Sequence, residues 1–193
     1  LIVANGLVPF IDLAYQGLGD GLSQDCLGTR SLLAEVPVAL VAYSCDKNFG
    51  LYRERVGALW VQAADASTQA VVRDNVLSLA RSLWSMPPDH GAAIVRLILD
   101  DPDLHADWEV ELTAMRERIN RLRSILAASH DRLAPIGQQR GMFAMVPIKA
   151  AAVSALREQH GIYMAESGRI NIAGLRSDTI PVFAAALAPF LIP

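Results

Sequence analysis

Seven residues, Pro37-Val38-Ala39-Leu40-Val41-Ala42-Tyr43, form a near-continuous apolar run that stops at Ser44 and a polar loop. The run is too short for a useful helix and carries no alternation, so it suits a parallel strand covered on both faces. A second apolar run occupies residues 57–63 (GALWVQA). A third lies at residues 8–13 (VPFIDL), followed by Gly17, Gly19 and Gly21, and reads as a short buried strand leading into a loop. Residues 23–34 between them have the length of a short helix.

The rest of the chain is mostly helical in pattern. Val71, Val72, Val76, Leu79, Ala80 and Leu83 recur close to helical spacing over residues 67–84, with Ser67 as the expected N-cap and Pro87-Pro88 as the breaker. Residues 90–99 make a second helix. Asp101 and Pro102 open a third, whose periodicity runs to about Ala128, or about 40 Å at 1.5 Å per residue. So long a helix usually connects two bodies. Beyond it the pattern is that of a small α+β unit. Strands are expected at residues 142–146, 162–165 and 169–172, and a helix at 150–159. A last helix begins near Ser177, with Pro181 tolerated in its first turn. Strands alternating with helices, then a long helix, then a smaller unit define an α/β chain with two lobes.

Composition narrows the functions open to such a chain. Apolar residues are 52% and charged residues 19% of the 193, a globular balance that argues against disorder. The apolar share is high enough to suggest surface meant to be covered by further polypeptide. With a net charge of −3 and no basic stripe, nothing favours nucleic acid as a partner. No apolar run reaches the roughly 18 residues of a membrane span. Cys26 and Cys45 lack metal-ligand or disulfide-framework spacing, so a reduced, cytoplasmic protein is the default. The four histidines are scattered, and no metal site is expected. The chain opens on Leu1-Ile2-Val3 without Met, as a segment of something longer would.

Three segments carry the groups that could do chemistry. The loop SCDKNFGLYRERVG (44–57) follows the buried 37–43 strand, where α/β proteins place ligand sites. Lys47 alone would be read as a solvated surface charge. Ser44 and Arg55 change that, because a hydroxyl and a guanidinium fork together suit a phosphate dianion. In DLAYQG (12–17), Asp12 ends a strand expected to be buried, where a carboxylate needs a partner, and Tyr15 follows three residues on. Taken by itself the pair reads first as a structural hydrogen bond, with part of a site as the alternative. In SGRINIAG (167–174), Arg169 interrupts an apolar strand, either as half of a surface salt bridge or as a bidentate carboxylate binder.

Together with WSMPPDHG (84–91), these segments resemble the aspartate and aromatic amino-acid aminotransferases, the class I enzymes of pyridoxal-phosphate (PLP) fold type I. They occur in the family's order and at about its spacing, over essentially the whole chain. The resemblance implies the C-terminal part of a large, mostly parallel-sheet PLP domain (residues 1–112) and a small α+β domain (113–193), joined by the long helix. It makes Lys47 the Schiff-base lysine, Asp12 the partner of the pyridine nitrogen, and Tyr15 the partner of the phenolic oxygen. Ser44 and Arg55 become phosphate ligands. Arg169 becomes the holder of the substrate α-carboxylate, Arg81 an arginine reaching across a homodimer to a distal carboxylate, and Phe143 (in GMF) a small-domain residue near the substrate. The implied reaction moves an amino group between an aromatic or acidic L-amino acid and a 2-oxo acid. Lys47 serves as general base, a task that needs a lowered amine pKa.

Two departures stand out. Asp46 precedes the lysine where many relatives carry a small hydroxyl residue, and its carboxylate is free to point to solvent. Arg53 stands where aspartate-specific relatives often have Asn, which leans toward the aromatic branch. The family's phosphate loop, its ring-stacking aromatic, an Asn to the phenolic oxygen and a Tyr to the partner's phosphate have no counterpart in the chain. The chain alone is therefore expected not to transaminate. A PLP lyase or decarboxylase on the same scaffold, and a truncated non-catalytic remnant, are the rival readings.

Overall fold

The computed structural model of the chain describes residues 1–192. The chain divides into two compact units, residues 1–17 with 21–112, and residues 18–20 with 113 onward.

The first unit is built on three strands, β1 (Phe10–Leu13), β2 (Ala39–Ser44) and β3 (Gly57–Gln62), hydrogen-bonded in that order. β1 and β2 are parallel, with Asp12 opposite Ala42 and Leu13 opposite Tyr43. A parallel pair needs a crossover. It is supplied by α1 (Leu22–Asp25) and α2 (Leu27–Glu35), which split the single helix expected at 23–34 at Cys26. The 57–63 run, which looks like the 37–43 run in composition, pairs the other way. β3 is antiparallel to β2, with Gly57 opposite Ser44, because residues 45–56 are turns and no helix intervenes. Gly57 is required there: a Cβ would lie 2.2 Å from the Tyr43 carbonyl oxygen.

Helix α3 (Ala66–Trp84) is capped by Asp65 and not by Ser67. The helix starts slightly earlier than its apolar pattern, and a carboxylate can take three donors at once. Asp65 accepts from the Thr68 N–H at 2.9 Å, the Ser67 hydroxyl at 2.6 Å and the Thr68 hydroxyl at 2.8 Å. The Ser67 hydroxyl first, and then the Thr68 groups, hold its carboxyl at about 2, below the ordinary 3.8. A depressed folded-state value means the cap contributes fully above about pH 4 and is lost as pH falls through about 2. A carboxyl-carbon NMR titration should find Asp65 titrating near 2; a midpoint at 3.8 would show that the cap is not formed.

Helix α4 (His90–Asp100) is followed after one residue by α5 (Pro102–Ala128). Asp101 caps α5 as expected, accepting from the N–H groups of Asp103 (2.9 Å) and Leu104 (3.1 Å). The unit boundary falls inside α5, between Leu112 and Thr113. No helix among the described residues is long and apolar enough to cross a membrane.

The second unit holds most of the buried core. Ile119, Leu122 and Leu126 of α5 bury with Leu133, Ile136, Leu156, Ile172, Ile180 and Leu187. Its other elements are the antiparallel pair β4 (Phe143–Met145) and β5 (Arg169–Asn171), with α6 (Ala150–His160) and α7 (Ile180–Leu187). Two expectations change in this unit, and one element is added. Residues 162–165 form no strand: Gly161 closes α6 in the left-handed conformation, Ile162 N–H returns to the Leu156 carbonyl, and Tyr163 stays exposed. The last helix begins at Ile180, because the Ser177–Thr179 stretch is a turn. A 3-10 helix at Asp131–Gln138, containing Pro135, stands where no element is expected. Arg123 is buried on the apolar face of α5, and its guanidinium donates to the Gly141 and Phe143 carbonyls. Burial, with some help from Arg140, lowers its pKa.

Candidate active site

Strand alternation sorts the residues of the first unit onto two faces of the sheet. Ala39, Val41 and Tyr43 face one way, and with Leu13, Cys45 and Trp108 they line a mostly apolar cavity of about 1020 Å³. Leu40, Ala42 and Ser44 face the other way, and Asp12, opposite Ala42, joins them. Neither Asp12, Ser44, Lys47 nor Arg55 lines the cavity. The candidate site therefore lies on the opposite face, at the carboxyl ends of β1 and β2.

Lys47 follows β2 in a loop anchored from the cavity side. Asn48 donates through Nδ2 to the Tyr43 hydroxyl at 2.6 Å, and Trp108 donates from Nε1 to the Asn48 carbonyl at 2.7 Å. The Phe49 and Trp108 rings stack at 4.5 Å and 7°. Asn48 is fully buried, and burial pushes the Tyr43 hydroxyl up despite the Asn48 hydrogen bond. These anchors, Asn48 and Trp108, carry no motif signal of their own; only the fold brings α5 under the loop.

The Lys47 Nζ, half-buried, lies 5.0 Å from the centroid of the Tyr15 ring and 6.0 Å from that of Tyr52, within cation–π range. It makes no ion pair among the described residues. Nothing in the sequence singles out Tyr52. Burial, then Tyr15 and Asp46, push its hydroxyl above the ordinary value, which keeps it a neutral donor.

Ser44 ends β2, and its Oγ accepts from the Asp46 N–H at 3.2 Å. Arg55, in the left-handed region at φ 52°, turns its guanidinium back so that Nη1 donates to Asp46 Oδ2 at 2.7 Å and to the Tyr52 carbonyl at 3.0 Å. Asp46 does not point to solvent. It is 5% exposed, and its Oδ1 is buried without a partner. Asp12 corrects a second expectation: it is exposed and unpaired, because no element among the described residues covers that face at β1.

Lys47, Tyr15, Tyr52, Ser44, Asp46 and Arg55 thus form one cluster. Arg81 does not join it; it sits exposed in the last turn of α3, with no side-chain hydrogen bond or ion pair among the described residues. Arg169 and Phe143 belong to the second unit and meet there, the guanidinium carbon 3.8 Å from the ring centroid. Arg169 makes no ion pair among the described residues, so the surface salt bridge open to it in the sequence is not formed.

Fold and cluster define an α/β protein that presents a lysine amine, framed by phenols, at the carboxyl end of its sheet. The chain belongs to the family of class I and II aminotransferases, whose sequence model matches residues 1–187. It is 53% identical over 181 residues to a tyrosine aminotransferase of Rhizobium meliloti, covering 92% of this chain and 46% of that protein. An aromatic amino acid aminotransferase solved with 3-indolebutyric acid superposes with a TM-score of 0.94 at 44% identity, over 97% of this chain and 49% of that one. A Burkholderia pseudomallei aromatic-amino-acid aminotransferase, covalently bound to pyridoxal phosphate, superposes with a TM-score of 0.93 at 38% identity, over 99% and 49%. The fold is that of the fold-type-I aminotransferases. The chain spans about half the length of the curated relatives it matches.

Proposed function

We propose that the protein containing this chain is a PLP-dependent aminotransferase that moves an amino group between an aromatic or acidic L-amino acid and a 2-oxo acid. The observation that carries the reading is the Lys47 amine held against Tyr15 at the carboxyl end of a parallel strand pair, in a chain of this family.

The residues present fit the cofactor. Lys47 is engaged by ring faces and by no carboxylate, so its amine is available. The Ser44 hydroxyl accepts from Asp46 N–H and has its own proton to give. Arg55 is mostly exposed, with guanidinium N–H groups beyond those used internally. Lys47 would hold the cofactor, Ser44 and Arg55 its phosphate, Asp12 its ring nitrogen and Tyr15 its phenolic oxygen. When bound, PLP supplies an electron sink for the charge released at the substrate's α-carbon. The Lys47 amine carries the α-proton, and the phenols beside it limit its access to water. Arg169, stacked on Phe143, would take the substrate's carboxylate on its fork and so aim the α-proton. Arg81, exposed on α3, is available to a distal carboxylate in a second subunit. The same reading makes the full polypeptide a cytoplasmic homodimer, in keeping with two free cysteines, Cys26 and Cys45. Residues 1–112 would be part of the large domain and 113–193 the small one.

Borohydride reduction of the full polypeptide with PLP, followed by peptide mapping, should label Lys47 and leave Lys149 unlabelled. Label at Lys149, or at no lysine, refutes the assignment.

A further inference from the structure

Asp46 is an ionisable group of the cluster to which the proposed reaction gives no role, and it touches both residues assigned to the phosphate. Its N–H donates to Ser44 Oγ at 3.2 Å, and its Oδ2 accepts from Arg55 Nη1 at 2.7 Å. The pairing is lopsided. The carboxylate side chain is 7% exposed and the guanidinium 73%. The second carboxylate oxygen, Oδ1, is buried without a hydrogen-bond donor. A buried carboxylate left half-unsatisfied depends heavily on the single cation it touches. Arg55 is held far less firmly; its remaining internal bond is to the Tyr52 carbonyl.

We propose that Asp46 is a resident anion of the phosphate grip, one that competes with the cofactor's phosphate for Arg55 and sets how tightly the phosphorylated cofactor is held. The inference rests on the phosphate role of Ser44 and Arg55 proposed above. Two consequences follow from charge alone. A dianion arriving at Arg55 meets a guanidinium already neutralised by a carboxylate, in a place where that carboxylate is shielded from water and its repulsion is correspondingly strong. If the phosphate takes Nη1, Asp46 is left buried with both oxygens unpaired, which opposes binding. Removing the charge at position 46 lifts both penalties. The non-phosphorylated analogue pyridoxal makes no demand on Arg55 and should be indifferent to the change.

The test is the affinity of the full polypeptide for PLP and for pyridoxal, measured by spectroscopic titration in the unaltered protein, Asp46→Asn, Asp46→Ser and Arg55→Ala. Asp46→Asn and Asp46→Ser should bind PLP about tenfold more tightly, the factor that about 1.4 kcal/mol represents, with pyridoxal affinity unchanged. Pyridoxal binding also reports that each variant is folded. If PLP affinity is unchanged or weakened in both Asp46 variants while Arg55→Ala still weakens PLP relative to pyridoxal, the phosphate assignment stands and the competing-anion proposal is overturned. If Arg55→Ala leaves the PLP-to-pyridoxal ratio untouched, the phosphate assignment itself fails and takes the proposal with it. A measurement on the unaltered protein decides the matter even if the variants misfold. In a crystal structure with PLP bound, the contact between Asp46 Oδ2 and Arg55 Nη1 should be broken or lengthened beyond hydrogen-bond distance. Persistence of the 2.7 Å contact with phosphate seated on Arg55 overturns the proposal.

Discussion

Lys47→Ala in the full polypeptide is expected to lower transamination by roughly 10⁴-fold or more, with little change in stability. A single proton-transferring group contributes roughly 10²–10⁴-fold, and this residue is also the one assigned to hold the cofactor, so the loss should reach or pass the upper end. The stability side follows from its surroundings. Lys47 is half-buried and makes no ion pair among the described residues; its contacts are ring faces at 5.0 and 6.0 Å. Such contacts contribute about 0.5–1 kcal/mol each at exposed sites, and their loss should shift the melting midpoint by only a few degrees. Lys47→Arg sharpens the test. It keeps the positive charge and the contact with Tyr15, but a guanidinium does not deprotonate in a protein. If charge were the essential property, Lys47→Arg would retain most of the activity; a lysine that must shed and regain a proton requires that it be as inactive as alanine. Steady-state rates with a tyrosine/2-oxoglutarate pair, beside thermal melts, separate the two.

The parts of the fold that can be read from sequence are those whose cause is local. Asp101 and Pro102 open α5 because a capping carboxylate and a proline without an N–H each satisfy a requirement of the first turn, whatever surrounds it. The 37–43 run becomes β2 because a continuous apolar stretch of that length has few other uses. The parts that differ from expectation are decided at a distance. Residues 162–165 have the composition of a strand, but Ile162 is spent closing α6, its N–H returning to the Leu156 carbonyl. The direction of β3 depends on whether the 45–56 loop holds a crossover, which its composition does not reveal. In the site, residue types and order are legible, so Lys47, Ser44 and Arg55 can be named and are found in one cluster. The direction of Asp46 is not, because it follows from the left-handed backbone at Arg55, φ 52°, in a non-glycine residue with no sequence signal. Asp12 is exposed where its strand suggests burial, because burial belongs to whatever covers a strand and not to the strand.

The same distinction leads to a large expected difference in local stability within the 193-residue chain expressed by itself. Amides of the second unit's core, such as those of Leu122, Leu126 and Leu156, should exchange with solvent at least about 100-fold more slowly than those of α3 and β3, since local opening ranges from near zero free energy up to the global value. The reason is where apolar side chains are buried. Leu126, Leu133, Leu156, Ile172, Ile180 and Leu187 are completely shielded, and each such side chain contributes about 1.5–3 kcal/mol. Helix α3 has no buried residue at all: Val71, Leu77, Leu79, Leu83 and Trp84 are each 60–70% exposed. Leu59 and Trp60 of β3 are more than half exposed. A 19-residue helix whose apolar positions meet water gains little beyond its own marginal propensity. An apolar surface of that extent on a folded chain ordinarily marks a face that associates. Hydrogen exchange followed by mass spectrometry reads the contrast directly, peptide by peptide. Uniform protection across residues 57–84 and 119–187 would mean that the exposed face of the first unit is covered in solution, by a second copy of the chain, and a sedimentation measurement on the same sample would show it as a dimer.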